Sequence, residues 1–287
     1  MKDFREKVAV ITGAASGIGR AIAQRCVLEG MRVVLSDINE ADLAETEAQL
    51  KSSGATVVGV RTDVSKRGEV EALAQKTMDA FHAVHLLFNN AGVVGGSSPW
   101  ESTWNDWEWV LGVNLWGVIH GTKIFTPLML AQETECHIVN TASPAGLVSY
   151  VPEAPYHISK HAVVALSENL AVSLAQRGAL VKVSVYCPGF VRTRIFDSER
   201  NRPVALQNES AEMTPAQKGA REAAKKALEA GMSPVVAADL VFKAIVEERF
   251  YILTHPEEMP HIRDRMENVL SGLNPRNPYQ TATANSE

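Results

Sequence analysis

Short apolar runs alternate with longer amphipathic stretches along most of the chain, and this alternation limits the possible folds more than any other feature. Most runs are nearly continuous in apolar residues, which is typical of strands buried on both faces of a parallel sheet. They span residues 8–12, 31–36, 56–61, 84–89, 137–142, 180–186 and 250–254. Helices between consecutive parallel strands have to cover both faces of the sheet. We therefore expect an α/β fold with a doubly wound, parallel, seven-stranded sheet.

Residues with strong capping preferences mark where the intervening helices begin and end. Asn39 and Ser65 stand where a side-chain oxygen can cap a helix N-terminus. Gly30 and Gly54 stand where a helix can end in a left-handed residue. These positions separate the predicted helices from the strands that follow them.

Two segments interrupt the alternation. Residues 194–232 contain no predicted strand and include the charged helical stretch AQKGAREAAKKALEAG, after which Ser233 and Pro234 predict the start of another helix. Residues 255–287 form a C-terminal extension that ends in a polar stretch. Because no repeat or linker divides the 287 residues, we expect one domain over 1–287, with its core at about 6–255.

The composition excludes several classes of partner. The net charge of −5 favours neither nucleic acid nor an anionic membrane surface, and no stretch is apolar enough to span a bilayer. The apolar run near the N-terminus is too short for a secretory signal. Cys26, Cys136 and Cys187 form neither a disulfide framework nor a metal-binding pattern, so we expect a reducing, cytoplasmic location.

The stretch TGAASGIG lies between the first predicted strand and the first predicted helix. Its glycines, Gly13, Gly17 and Gly19, require a reason, because glycine costs roughly 0.5–1 kcal/mol relative to alanine in regular structure. A glycine turn before a helix lets a pyrophosphate approach the backbone N–H groups and the positive end of the helix dipole. A turn without a ligand is the alternative.

Asp37 favours a dinucleotide over a bare turn. It ends the second predicted strand, 18 residues after Gly19, where a carboxylate can accept hydrogen bonds from both hydroxyls of the adenosine ribose. A helix-start residue is the plainer interpretation. The same carboxylate would repel a 2′-phosphate, and Ile38 adds no positive charge. Arg20, which we expect to be the nearest cation to this site, lies inside the helix start. We therefore expect NAD rather than NADP.

A possible acid–base centre lies at the stretch YHISK. Tyr156 and Lys160 are four residues apart and share one face of the predicted helix. An ammonium group beside a phenol favours the phenolate, which makes the tyrosine a candidate for proton transfer to or from an alcohol oxygen. Ser143, just after the fifth predicted strand, can donate a hydrogen bond to that oxygen. Taken singly, surface neighbours and a loop serine explain these residues equally well.

Together these residues resemble the short-chain dehydrogenase/reductase family over roughly residues 6–255. Asn114, Ser143, Tyr156 and Lys160 match its catalytic tetrad, with its 13-residue spacing from Ser143 to Tyr156. The segments TGAASGIG, RTDV, NNAG and CPGFVRT are similar to its cofactor-binding motifs. The residues that this resemblance assigns to the cofactor, besides Tyr156 and Lys160, are Gly13, Ser16, Gly17, Ile18, Gly19, Asp37, Asp63, Val64, Asn90, Ala91, Gly92, Pro188, Gly189, Val191 and Thr193.

The resemblance implies a Rossmann-type domain that transfers a hydride between NAD and a secondary alcohol or ketone, without a metal. Tyr156 would transfer the proton, Lys160 would lower its pKa and bind the ribose, Ser143 would orient the substrate, and Asn114 would hold a relay water through a local break in its helix. Residues 194–232 would be a substrate lid, and the assembly a homotetramer or homodimer built on helices 102–131 and 156–177. An NADP-dependent 3-oxoacyl-type reductase and a non-catalytic dinucleotide-binding regulator are the alternatives.

Weaker signals concern the substrate. The five tryptophans lie within residues 100–116, where we favour helix packing or a subunit interface over a substrate pocket, of which Trp100 would be the first member. His157 and His161 flank the catalytic pair, and we expect them to be solvated. The likeness of several segments to family members with bulky, often aromatic, alcohols suggests such a substrate.

Overall fold

A computed structural model describes residues 1–150, 152–209 and 215–279. Its sheet has seven parallel strands in the order β3-β2-β1-β4-β5-β6-β7. The strands are β1 (Val8–Thr12), β2 (Arg32–Asp37), β3 (Val57–Arg61), β4 (Leu86–Asn89), β5 (Cys136–Thr141), β6 (Val181–Cys187) and β7 (Tyr251–Leu253). The predicted Rossmann-type sheet is confirmed, and each strand lies within about two residues of its predicted bounds.

Helices cover both faces of the sheet. They are α1 (Gly17–Leu28), α2 (Glu40–Ser52), α3 (Arg67–Phe81), α4 (Trp104–Leu111), α5 (Gly117–Ala131), α6 (Ala154–Gln176), α7 (Pro215–Ala230), α8 (Pro234–Val246) and α9 (Met259–Leu270). Apolar residues of α1, α2 and α8 pack on one face, and those of α3, α5 and the end of α6 pack on the other. The central strands are therefore buried on both sides, as their continuous apolar sequences predict.

The N-terminal residues extend the core beyond its expected start at residue 6. Met1 and Phe4 are buried in the cluster that joins α1 and α8 to the sheet. The Phe4 ring lies edge-on to Phe242, with 5.1 Å between the ring centroids. Met1 and Phe4 are thus part of the packed core, whereas Lys2, Asp3 and Arg5 are exposed.

The predicted capping residues hold with one exception. The Asn39 side chain accepts a hydrogen bond from the Asp42 N–H at the start of α2, and Gly30 and Gly54 have positive φ just after helix ends. The prediction that Ser65 caps α3 is wrong, because Lys66 holds the capping position. The Ser65 hydroxyl and N–H both donate to Asp63 Oδ1 instead, at 2.7 and 3.0 Å.

The described parts of the two interrupting segments lie beside the carboxyl ends of the strands. Residues 195–201 and 204–206 form short 3-10 turns, and α7 then leads to an isolated parallel bridge between Val191 and Met232. The C-terminal extension forms α9 and reaches Tyr279. Residues 210–214 of the expected lid and residues 280–287 of the extension lie outside the described residues.

Neither a bilayer-crossing helix nor a metal-binding cluster is found where the structure describes the chain. Within residues 1–150, 152–209 and 215–279, each helix is too short or too polar to cross a bilayer. In the same ranges, no three His, Cys, Asp or Glu side chains are grouped so that they could hold a metal ion.

Candidate active site

A cavity of about 1480 Å³ opens at the carboxyl ends of the strands. The strand order reverses between β1 and β4, and ligands of open α/β sheets bind in the crevice formed at such a reversal. Every predicted site residue except Gly19 and Asn114 lines this cavity. The topology therefore brings together residues that are up to 180 positions apart in the sequence, from Gly13 to Thr193.

The glycine loop leaves the N-terminus of α1 open to this cavity. Gly13 and Gly17 have φ of +67° and +55°, backbone angles that residues with a side chain rarely adopt. Ser16 occupies the N-cap position, yet its side chain makes no capping hydrogen bond. The first N–H groups of a helix have no partner within the helix, so an uncapped terminus that faces a cavity fits a phosphate. Ser16 and Ile18 line the same part of the wall.

Gly19 does not line the cavity, and its place among the cofactor-binding residues stays a prediction. A Cβ atom on Gly19 would lie 2.1 Å from the Gly13 carbonyl oxygen and 2.6 Å from Asn90 Nδ2. A side chain there would push α1 away from the end of β1. Gly17 also leaves little room for a side chain, because a Cβ atom on Gly17 would lie 2.9 Å from the Thr193 methyl carbon.

The Asp37 carboxylate is fixed by backbone donors at the end of β2. Its Oδ2 accepts from the Ala15 N–H and its Oδ1 from the Asn39 N–H, both at 3.0 Å. Burial raises the pKa of this carboxyl, while these backbone hydrogen bonds and the charge of Arg200 act in the opposite direction. Each oxygen keeps a lone pair that can accept a ribose hydroxyl.

The cation that acts on Asp37 is Arg200, not the expected Arg20. Arg20 donates to Gln49 and pairs with Glu45 at 3.7 Å. Arg200, from the segment after β6, lines the cavity and lowers the pKa of Asp37 through its charge. Sequence reasoning missed Arg200 because 163 residues separate it from Asp37.

The loops after β3 and β4 form the next parts of the wall. Asp63 and Val64 follow β3, and both line the cavity. After β4, the Asn90 and Ala91 N–H groups donate to the Thr12 hydroxyl at 2.9 and 3.1 Å. These bonds tie the NNAG loop to the glycine loop and hold its last residue, Gly92, at the cavity.

The segment after β6 closes the far side of the same wall. Its four predicted residues all line the cavity, namely Pro188, Gly189, Val191 and Thr193. A Cβ atom on Gly189 would lie 2.7 Å from the His255 ring, whose Nδ1 accepts from the Gly189 N–H at 2.9 Å. The C-terminal extension therefore positions this segment from behind.

Tyr156 and Ser143 both line the cavity at the carboxyl end of β5. Helix α6 begins at Ala154, two residues before Tyr156, and Ser143 follows β5. Burial raises the pKa of Tyr156 to about 12, although the nearby Ser143 side chain acts to lower it. The phenol is therefore protonated at neutral pH in the ligand-free protein.

Lys160 lies one helical turn after Tyr156 and is buried. Its Nζ donates to the Thr141 carbonyl at 2.9 Å and lies 5.5 Å from the centre of the Tyr156 ring. Burial lowers the pKa of Lys160 to about 8, so the ammonium form still predominates at neutral pH. Lys160 is not among the groups that shift the pKa of Tyr156, and the expected lowering of that pKa by Lys160 stays a prediction.

Asn114 is buried behind the cavity wall in the predicted break of its helix. Residues Gly112–Trp116 form a π-helical turn between α4 and α5. The Asn114 side chain accepts from the Val93 N–H at 2.8 Å and donates to the Val93 carbonyl at 2.9 Å. Its Nδ2 also lies 3.2 Å from Ser159 Oγ. The side chain thus joins the loop after β4 to the start of α6.

The tryptophans differ from expectation in their arrangement. Trp100 is 83% exposed and does not line the cavity, whereas Trp104, Trp107, Trp109 and Trp116 do. The local sequence cannot distinguish them, because the start of α4 at Trp104 decides which rings reach the cavity. Of these, Trp109 is buried, whereas Trp104 and Trp116 remain exposed.

Sequence reasoning also missed three residues of the cavity wall. Tyr150, Glu153 and Tyr279 line the cavity, and the rings of Tyr150 and Tyr279 meet edge to face at 4.9 Å. His157 is buried against Tyr150, with its Nδ1 near the carbonyls of Ala145 and Val148, so the expected solvation of His157 is wrong. In the sequence, only the position of Glu153, three residues before Tyr156, could have indicated that it belongs to the site.

Comparisons with known proteins agree with this geometry. A family described as short chain dehydrogenase matches residues 7–203. A relative from Lactiplantibacillus plantarum, a CLA biosynthesis dehydrogenase/reductase, is 37% identical over 273 residues, which cover 94% of this chain and 96% of the relative. A 1-deoxy-11-beta-hydroxypentalenate dehydrogenase from Streptomyces avermitilis is 32% identical, and the match covers 98% of this chain and 96% of the relative.

A solved structure extends the likeness to the whole fold. A short chain dehydrogenase/reductase from Burkholderia phymatum, crystallised in complex with NAD, has a TM-score of 0.94 and 49% sequence identity, and the alignment covers 98% of this chain and 100% of that one. The cavity, its polar residues and these matches lead to one conclusion. The chain belongs to the short-chain dehydrogenase/reductase family, and it is an oxidoreductase that acts on CH–OH groups with NAD(P).

Proposed function

We propose that this enzyme uses NAD to interconvert a secondary alcohol and a ketone. The observation that carries the proposal is the convergence of Ser143, Tyr156 and Lys160 at one end of the cavity. A hydroxyl, a phenol and an ammonium group supply a hydrogen-bond donor, a proton-transfer group and a positive charge near one carbonyl oxygen. A non-catalytic dinucleotide-binding regulator would not require all three.

The residues that would hold the cofactor extend along the cavity from α1 to the segment after β6. When bound, the nicotinamide supplies or accepts the hydride. The uncapped N-terminus of α1 suits the pyrophosphate, and Asp37 suits the adenosine ribose. On the same proposal, Asp63 and Val64 contact the adenine, and Thr193 contacts the carboxamide.

Tyr156 would donate a proton to the ketone oxygen in reduction and take it back in oxidation. Its raised pKa keeps the phenol protonated, which suits the reductive direction. Ser143, whose side chain acts on the same hydroxyl, would orient the substrate oxygen. Lys160 would stabilise the phenolate left after proton donation and bind the nicotinamide ribose.

Asn114 would act by holding the neighbouring backbone in place rather than by binding the relay water with its side chain. Both ends of its amide are already bound to Val93, so the side chain has little capacity left for a relay water. We assign that water to a backbone carbonyl of the π-helical turn, where the regular helical hydrogen-bond pattern is interrupted.

The preference for NAD over NADP rests on Asp37. A buried carboxylate that faces the ribose would repel a 2′-phosphate. Arg200 gives the NADP-dependent 3-oxoacyl-type alternative a specific basis, because its charge acts at the same place. That guanidinium, however, donates to the carbonyls of Arg194 and Asp197 at 3.0 and 2.7 Å, which leaves it less free to bind a phosphate.

A bulky or aromatic substrate fits the large cavity. Its wall includes Tyr150, Phe190, Leu206 and Tyr279, which offer apolar and aromatic surface to a substrate. We propose that the chain is one domain over 1–287, with a core at about 6–255 and a covering segment at 194–232. The C-terminal extension would contribute Tyr279 to the same wall.

We propose a homotetramer or homodimer built on the helices within residues 102–131 and 156–177. Trp104, Trp116, Ile158 and Val172 are exposed apolar side chains on these helices, and an interface would cover them. A cytoplasmic location is supported by the free, buried thiols of the cysteines.

The assay follows the absorbance of NADH during reduction of aryl ketones and oxidation of the corresponding alcohols. Tyr156→Phe should lower kcat by about 10²–10⁴, the usual contribution of general acid–base catalysis, while NADH binding measured by fluorescence is retained. Tyr251→Phe is the control, because Tyr251 bonds to Glu168 at the exposed edge strand. A Tyr156→Phe variant with half the wild-type kcat would overturn the assignment, and a preference for NADPH with 3-oxoacyl thioesters would favour the alternative.

A further inference from the structure

Glu153 has an unusual backbone for a residue with a side chain. It precedes α6 with φ 78° and ψ 45°, a left-handed conformation that glycine adopts at less cost. A residue distant in the sequence holds this turn: the N–H groups of Glu153 and Ala154 both donate to the Ser97 carbonyl, at 3.1 and 2.8 Å. Strain of this kind is retained where the surrounding structure enforces it, and it is concentrated at functional sites.

The Glu153 carboxylate lies in the cavity without a protein partner. Among the described residues, none forms a hydrogen bond or ion pair with it, whereas Glu258 on the same wall accepts from the Tyr279 hydroxyl at 2.5 Å. Burial raises the pKa of Glu153 to about 7. An unpaired carboxylate is costly to bury, so its retention calls for a ligand group that pairs with it.

The same carboxylate lies close to the reacting end of the cavity. Its negative charge raises the pKa of both Tyr156 and Tyr150, which places it within electrostatic range of the two phenol oxygens. A substrate oxygen bonded to Tyr156 would therefore bring its neighbouring carbons near Glu153.

We propose that Glu153 selects the substrate: it accepts a hydrogen bond from a hydroxyl or amino group near the reacting carbon and repels a carboxylate there. This inference rests on the proposed alcohol–ketone activity and names the class of substrate that the site takes. Hydroxy ketones and amino ketones, with the corresponding diols and amino alcohols, fit this end of the cavity. Simple ketones leave the carboxylate unpaired, and 2-oxo acids place a second negative charge beside it.

The test uses four ketones that share a phenyl group: acetophenone, 2-hydroxyacetophenone, 2-methoxyacetophenone and phenylglyoxylate. Wild-type enzyme should prefer the hydroxy over the methoxy ketone by about tenfold or more in kcat/KM, as expected for a hydrogen bond to a charged group. Glu153→Met, which removes the acceptor, should abolish this ratio mainly through KM. Glu153→Gln, which removes only the charge, should raise kcat/KM for phenylglyoxylate relative to acetophenone.

Glu258→Gln is the matched control, because it removes a carboxylate from the same wall that already has a partner. It should leave both substrate ratios unchanged. NADH binding by fluorescence verifies that each variant is folded. Ratios that stay the same in both Glu153 variants would overturn the role of Glu153 and leave the proposed function intact. A wild-type enzyme that reduces none of the four ketones with NADH would instead overturn the proposed function and this inference with it.

Discussion

At the scale of single residues, the proposed preference for NAD rests on Asp37. Its two oxygens are oriented by the Ala15 and Asn39 N–H groups, so the carboxylate cannot turn away from an approaching phosphate without losing a hydrogen bond. Arg200 provides the opposing charge. The ratio of the kcat/KM values with NAD and NADP measures the balance between these two charges.

Wild-type enzyme should use NAD more efficiently than NADP by at least about tenfold in kcat/KM, which corresponds to about 1.4 kcal/mol. Asp37→Ala should narrow this ratio mainly by weakening NAD binding, because the ribose hydroxyls lose their acceptor. Arg200→Ala should widen it, because the variant loses the attraction between this guanidinium and the 2′-phosphate of NADP. Equal efficiency with the two cofactors in the wild-type enzyme would contradict the role of Asp37.

The residue scale also shows what sequence can and cannot reveal about the site. Tyr156 and Lys160 were predictable because helical spacing alone puts them on one face, and Asp37 because it ends a strand. Glu153 was not, since its exposure to the cavity depends on a left-handed turn that the distant Ser97 carbonyl enforces. The packing of Gly19 against the Gly13 carbonyl was not predictable from the motif, because it depends on how closely α1 approaches the end of β1.

At the scale of elements, continuous apolar runs located the strands because burial on both faces leaves little freedom in composition. The π-helical turn at Gly112–Trp116 was expected only from the family resemblance, since its residues favour an ordinary helix equally well. The cap of α3 was misjudged because Ser65 has a nearer partner in Asp63. Competition between local hydrogen bonds is thus harder to predict than apolar periodicity.

The beginning of the covering segment is held by a buried ion pair. Arg202 Nη2 donates to Asp106 Oδ1 at 2.8 Å, its Nε donates to the Leu206 carbonyl at 2.6 Å, and its guanidinium lies 4.7 Å from the Trp109 ring centre. Both Arg202 and Asp106 are buried. These contacts anchor residues 199–208 to α4, so a covering motion would have to pivot about this point.

Removing one partner of that pair should loosen the segment. Arg202→Ala leaves Asp106 buried without its cation and should cost about 3–5 kcal/mol in the free energy of unfolding. Hydrogen exchange in residues 194–209 should rise, and KM for bulky ketones should increase more than the dissociation constant of NADH. The control is Arg67→Ala, whose exposed pair with Glu71 should contribute less than about 1 kcal/mol. Exchange that is unchanged by Arg202→Ala and by bound ligand would identify a fixed wall.

At the scale of the whole molecule, the exposed aromatic side chains favour an assembly. Trp104 is 86% exposed and Trp116 is 53% exposed, which is unusual for such large apolar surfaces. Light scattering at micromolar concentration should give the mass of a dimer or tetramer. Trp104→Glu should shift the protein toward smaller species, whereas Trp100→Glu, outside the proposed interface helices, should not. A monomeric wild-type protein would contradict the proposed assembly.

The stability of the whole fold should depend on pH through two buried histidines. His137 Nε2 lies 2.8 Å from Ser184 Oγ, and His85 Nδ1 accepts from the Val8 N–H at 3.1 Å. Burial lowers the pKa of His137 to about 3 and that of His85 to about 4, both below the unfolded value of about 6.5. The unfolded chain therefore binds more protons in this range. Glu153 acts in the opposite direction, because its raised pKa lets the folded state hold a proton between about 4.5 and 7.

The stabilising contribution of these histidines is complete above about pH 6.5 and is lost as the pH falls toward 4. Each histidine should contribute a slope of up to about 1.4 kcal/mol per pH unit to the free energy of unfolding. Urea unfolding between pH 5 and 7 should show that His137→Gln lowers this slope. His82→Asn, which replaces an exposed histidine whose φ of 58° asparagine tolerates, should leave the slope unchanged. If both variants have the wild-type slope, His137 is not the residue whose protonation opposes folding, and the acid sensitivity of the protein must come from His85 or from its carboxylates.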